Sequence, residues 1–273
     1  MQSITTPGLT IYFDPEEREA AQLIQEACQR STQTIHTSWG LEAPEDCRLY
    51  ILTSWPRCVF QGATFQTQIL LALTMPLWYS EFKQRWQYAG GWAQRYGRRQ
   101  VVGIKTPRLI AETPLGIGSD IFIKEEDLED KVLSVLSHEL THAFSSHLVL
   151  PTWLNEGLAM VTSDRCFQKQ TVRTDTLQLL KGSLPRNTSS DELNLKKQSR
   201  EEILLIYIRG YWLTRYLAQS SPDLLRDLLK DRKSPPAYES VIAGEYGIQP
   251  ENFWLEFQRR VLSYFEDELE KAE

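Results

Sequence analysis

The hydrophobic pattern of the chain changes its period near the middle. Up to about residue 123, short apolar runs broken by Gly and Pro alternate with stretches of helical spacing; beyond Glu125 apolar residues recur every three or four positions. Short runs predict strands and the longer period predicts helices. "LTIYF" (9–13) reads as a strand. Asp14 then reads as a helix N-cap, with Pro15 in the first helical position and Glu17 three residues after the cap. Ala20, Leu23, Ile24, Ala27 and Cys28 form an apolar stripe at helical spacing. "RLYILTS" (48–54) is a second strand. Residues 58–98, rich in Gln, Trp and Tyr, predict partial helix, with breaks at 90–91 and 97–99. "VVGI" (101–104), "RLIA" (108–111) and "DIFI" (120–123) are further short strand candidates.

From residue 127 to about 148 the pattern predicts one long helix, and a second starts near Trp153. The polar stretch 181–200 predicts a surface loop. Helices are expected again over 201–219, 222–231, 236–246 and 250–270. These elements predict an α+β protein: a small mixed-sheet lobe over 1–126 and a helical lobe over 127–273, with no internal repeat.

Composition narrows the class. A 273-residue chain with 41% hydrophobic and 24% charged residues is ordinary for a folded globular protein. Its formal charge of -6, with no basic block standing out, argues against nucleic acid as a partner. The N-terminus lacks a basic region followed by an apolar run, so no signal peptide is expected. The longest apolar stretch, "ILLALTMPLWY" (69–79), is too short to span a bilayer and Pro76 interrupts it, so no stable membrane insertion is expected. Cys28, Cys47, Cys58 and Cys166 are far apart and read as small hydrophobes in a reducing compartment. A cytoplasmic location follows as an expectation. Oligomeric state is not readable.

The chemistry concentrates in one place. Of four histidines, three lie in "SHELTHAFSSH", at His138, His142 and His147. On a helix of about 100° per residue, His138 and His142 stand one turn apart, away from the stripe of Leu133, Leu136, Leu140 and Phe144. His147 falls on that stripe and reads as a packing or capping residue. His138-Glu139-Leu140-Thr141-His142 is an H-E-x-x-H pattern: two imidazoles can reach one tetrahedral Zn²⁺, and Glu139 can meet water from the side. A third ligand at the metzincin position is missing, because Ser145 and Leu148 stand where Gly and His are needed. "PTWLNEGLA" starts the next helix. About six residues up the first helix and four down its antiparallel neighbour return Glu156 to the level of His142.

"HELTHAF" followed by "WLNEGLA" resembles the gluzincin peptidases, in particular their aminopeptidase-like branch and the short peptidase MA-like relatives. "YIRGYW" (207–212) is similar to that branch's Tyr-x-Lys-Gly segment, with Arg209 in place of the lysine. The resemblance implies a thermolysin-like zincin architecture and one Zn²⁺ per chain, held by His138, His142 and Glu156. It implies Glu139 as general base and the Tyr207 hydroxyl as stabiliser of the oxyanion, with Tyr211 as the fallback one turn on. It also implies a peptide or protein substrate paired to an edge strand, for which "DIFI" is the nearest candidate. No Gly-Ala-Met-Glu-Asn segment is present, so endo- and exopeptidase action both stay open. So does a non-catalytic, zinc-stabilised module that binds a peptide or protein.

Overall fold

In the computed structural model, residues 1–114, 116, 118–183 and 199–270 are described. They form two compact units: Met1–Thr37, Glu42–Gly116 and Glu125–Phe144 make the first, and Ser38–Leu41, Ile117–Lys124 and Ser145–Glu273 the second. The protein is α+β, with a small mixed sheet and a majority of helix.

The first unit is built on five strands. β1 (Gln2–Thr6) pairs antiparallel with β2 (Leu9–Phe13), and helix α1 (Arg18–Trp39) follows. β3 (Asp46–Leu52) lies parallel to β2. Helices α2 (Trp55–Phe60) and α3 (Phe65–Tyr88) lead to β4 (Gly91–Tyr96) and β5 (Arg99–Lys105). The order is β1-β2-β3-β5-β4, with β3 and β5 parallel and β4 antiparallel to β5. β2, β3 and β5 are the inner strands, and the continuous apolar runs of β3 and β5 match burial on both faces. On one face Tyr50, Leu52 and Val101 pack with Tyr12, Trp92, Tyr96 and with Phe82 and Trp86 of α3. Cys28 and Cys47 are buried in this unit, which holds both thiols well above their ordinary pKa, Cys47 at about 12.

Two hairpins escape the apolar pattern. Pro7–Gly8 joins β1 to β2, with Gly8 at φ 86, and Gly97–Arg98 joins β4 to β5, with Gly97 at φ 64. The glycines read as breaks at 90–91 instead open β4. A Cβ on Gly90 would come 2.8 Å from Val135 Cγ2. Two strand expectations fail. "RLIA" lies in α4 (Pro107–Glu112), because Thr106 caps the Leu109 amide and Pro107 occupies the first helical position. "DIFI" is split: Asp120 and Ile121 end the short helix α5 (Gly118–Ile121), and Phe122 makes only an isolated bridge to Val172. The edge strand on the β5 side of the sheet is β4, not "DIFI". Helix α3 runs through Pro76.

Helix α6 (Leu128–Ser145) carries the histidine motif and, up to Phe144, belongs to the first unit. The second unit is helical: α7 (Thr152–Phe167), α8 (Thr176–Gly182), α9 (Arg200–Ser220), α10 (Pro222–Leu228), α11 (Pro235–Tyr246), α12 (Phe253–Tyr264) and α13 (Glu266–Glu270). Ser199 and Glu202 form a reciprocal capping box at the start of α9. Most of the loop expected over 181–200 lies outside the described residues. The turn before α7 passes through Val149 at φ 55, and the Tyr238 hydroxyl donates to the Leu148 carbonyl at 3.1 Å.

Helices α7 and α9 meet through glycine. A Cβ on Gly157 would lie 2.1 Å from the Gly210 carbonyl oxygen and 2.2 Å from Thr214 Oγ1. One on Gly210 would lie 2.4 Å from the Trp153 carbonyl oxygen. The two backbones touch, which only glycine at both positions permits. Thus the glycines of "NEG" and "IRG" form one helix crossing. It places Glu156 next to the contact on α7 and Tyr207 one turn before it on α9. No helix among the described residues is long and apolar enough to cross a membrane.

Candidate metal centre

Helix α6 fixes its motif by burying the opposite side. Leu133, Leu136, Leu140, Ala143 and Phe144 are buried, while His138, Glu139 and His142 are half-buried. Between them Thr141 turns inward, and its hydroxyl donates to the Ser137 carbonyl at 2.6 Å. The imidazoles of His138 and His142 approach edge to face, with Nε2 atoms 3.0 Å apart. That separation is a hydrogen-bond distance, and it also lets both nitrogens face one metal ion.

His138, His142 and Glu156 are brought together. Each offers one ligand atom, and these atoms lie within 4.8 Å of one another. The group could hold a metal ion. Its donors are two imidazole nitrogens and one carboxylate oxygen.

Glu139 leaves α6 to one side of the histidines. A Cβ on Gly91 would sit 2.9 Å from Glu139 Cγ, 3.0 Å from Val135 Cγ1 and 3.0 Å from the Gly103 carbonyl oxygen. Strand β4 therefore lies hard against the Glu139 side chain, and Gly91 is what makes room. Apolar periodicity gives no hint of this contact; the Gly-Gly pair was its signal and was read as a break.

The remaining candidates separate clearly. His147 is exposed, just past the end of α6, and does not pack on the apolar stripe as expected. The helix stops at Ser145, so helical projection no longer governs its direction. Tyr207 is half-buried. Tyr211 is fully buried, and its hydroxyl donates to Asp164 Oδ2 at 2.6 Å. Asp164 also accepts from the Thr171 amide and hydroxyl, each at 2.7 Å. Burial raises the pKa of Asp164, against the lowering effect of the hydrogen bonds from Tyr211 and Thr171. Tyr211 thus serves the helical unit's own core. Arg209 lies over the Trp254 ring at 5.5 Å, and desolvation lowers its pKa.

No protein-family model matches this chain, and no curated protein matches it.

Proposed function

We propose that the protein is a zinc metallopeptidase of the gluzincin type, on a zincin architecture. The observation that carries the reading is the convergence of His138, His142 and Glu156, with Glu139 intact beside the pair. An intact Glu139 favours a hydrolase over a module that only binds. Zn²⁺, when bound, supplies a Lewis acid that acidifies water and polarises the substrate carbonyl. The Glu139 carboxylate takes the proton from the attacking water and returns it to the leaving amine nitrogen. The Tyr207 hydroxyl donates a hydrogen bond to the developing oxyanion. The substrate is a peptide or protein, bound in extended form along the free edge of β4 beside Glu139.

Metal analysis of full-length protein purified without added metal, run beside a peptide-library digest, tests this directly. About one zinc per chain and cleavage of some peptides are expected. His138→Ala/His142→Ala should lose both. Full zinc occupancy in that double variant would place the metal elsewhere and defeat the proposal.

The two tyrosines predict opposite phenotypes. Tyr207→Phe should lower turnover by about 10²- to 10³-fold and leave metal content and melting temperature unchanged. Tyr211→Phe should cost ~1–3 kcal/mol of stability, because it takes a donor from a buried carboxylate. It also removes a hydrogen bond that lowers the Asp164 pKa. The folded pKa of Asp164 already lies above its unfolded value. Its contribution to stability is therefore fully present below the unfolded pKa and is lost as pH rises through the folded one. In Tyr211→Phe that loss should be larger and extend to higher pH. Urea unfolding between about pH 4 and 8 measures it. A Tyr211→Phe protein that keeps its stability and loses turnover would move the oxyanion role to Tyr211.

A further inference from the structure

From Phe65 to Ser80, helix α3 carries no charged side chain. Phe65, Ile69, Leu73 and Leu77 recur every four residues and form one outward ridge, with exposures of 77%, 46%, 76% and 86%. Leu70 flanks it and is exposed as well. The ridge is not a misplaced core face. The inward face is already occupied: Trp78 packs on Phe60 and Phe82, and Phe82 and Trp86 pack on the sheet. No residue of α3 is buried. A contiguous apolar surface of this kind, left outside, marks an interaction site.

Charge identifies what it meets. Between residues 53 and 111 the basic residues are Arg57, Lys83, Arg85, Arg95, Arg98, Arg99, Lys105 and Arg108, against Glu81 alone, in a chain of net charge -6. Arg57, Arg85 and Arg99 are paired with Asp14, Glu81 and Asp46. Lys83, Arg95, Arg98 and Arg108 are exposed, and Arg95 Nε donates to the Gly97 carbonyl at 2.9 Å within its own hairpin. Lys83 continues α3 itself. Arg95 and Arg98 belong to the β4–β5 hairpin, whose Trp92 and Tyr96 share a cluster with Phe82 and Trp86 of α3. The uncharged part of the helix ends at Ser80, just after Tyr79, an exposed side chain suited to a headgroup boundary. A second copy of the chain would bring this basic surface against itself. An anionic bilayer complements both the ridge and its charged margin.

We propose that α3 is a membrane-surface anchor: the Phe65–Leu77 ridge enters the headgroup–acyl boundary of an anionic bilayer, with Lys83, Arg95 and Arg98 against the lipid phosphates. The helix lies in the plane of the surface. Its uncharged part is ~24 Å long, short of the ~30 Å hydrocarbon core.

Flotation of the full-length chain tests this, using vesicles of phosphatidylcholine alone or with about 30% phosphatidylserine, at low and high salt. The protein should float with the anionic vesicles and bind neutral ones about tenfold more weakly, and high salt should release it. Leu73→Glu/Leu77→Glu should weaken binding about tenfold or more with an unchanged melting temperature, since both leucines are exposed. Lys83→Glu/Arg98→Glu should weaken binding and flatten its salt dependence. Three results overturn the proposal: no flotation with anionic vesicles, equal binding by the leucine variant, or a wild-type dimer that the leucine variant dissolves while neither protein binds lipid. The last would assign the ridge to a second copy. None of these readouts depends on hydrolysis.

Discussion

Glu139→Gln is expected to keep its full complement of zinc and the wild-type melting temperature while losing hydrolysis by about 10²- to 10⁴-fold. Glutamine matches glutamate in length and shape, so the contact with Gly91 and β4 persists. What disappears is the ability to take a proton from water and pass it to the leaving nitrogen. Glu139 is not among the three converging ligand residues, so metal content should not follow activity down. Zinc analysis and peptide turnover on the same preparation separate the two effects. Wild-type turnover in this variant would remove Glu139 from the mechanism. Parallel loss of zinc would make it a ligand.

The second large effect is structural. Gly157→Ala sets a methyl group 2.1 Å from a backbone oxygen, and Gly210→Ala sets one 2.4 Å from another. Backbone cannot rotate aside as a side chain can. α7 and α9 must separate, leaving less well packed side chains along the crossing, at an expected cost of ~3 kcal/mol or more for either change. The double variant should cost clearly less than the sum, because helices already parted by one methyl group have room for the second. Urea unfolding of the two single variants and the double measures this. Gly157→Ala should also weaken zinc affinity, since Glu156 is its neighbour and moves with the helix. An unchanged unfolding midpoint in both single variants would mean that the crossing is not close.

Much of the site was legible because its geometry is local. His138 and His142 are one helical turn apart whatever the rest of the chain does, and the connection from Ser145 to Thr152 is short enough for Glu156 to be placed by counting. The helical half was readable for the same reason, since a 3.6-residue period survives in single segments. Where the outcome depends on distant neighbours, the pattern failed. "DIFI" is an apolar run equally compatible with strand and helix, and its Phe122 meets only Val172, fifty residues on; for "RLIA" the adjacent Thr106-Pro107 cap was a local signal that the apolar run masked. The Gly90–Gly91 pair looks like a loop unless Val135 and Glu139 are known to press against it. Tyr207 and Tyr211 share one spacing; only the partnership with Asp164, on a different helix, sets them apart. The "NEG" and "IRG" glycines carry no signal that they touch each other.

The turn into α7 has a bearing on how freely this sequence could diverge. Val149 is an exposed, β-branched residue held at positive φ, a conformation that costs on the order of 1–3 kcal/mol. Glycine or asparagine would adopt it more easily, so drift at this surface position is cheap in the direction that usually weakens a chain. Tyr238 is the reverse case. It is fully buried and resembles any core aromatic for which phenylalanine is a harmless exchange. Its hydroxyl, however, holds the carbonyl just before the strained residue. Mutational tolerance should here run against burial and side-chain similarity: Val149 should accept glycine or asparagine, whereas Tyr238→Phe would take the donor from the Leu148 carbonyl.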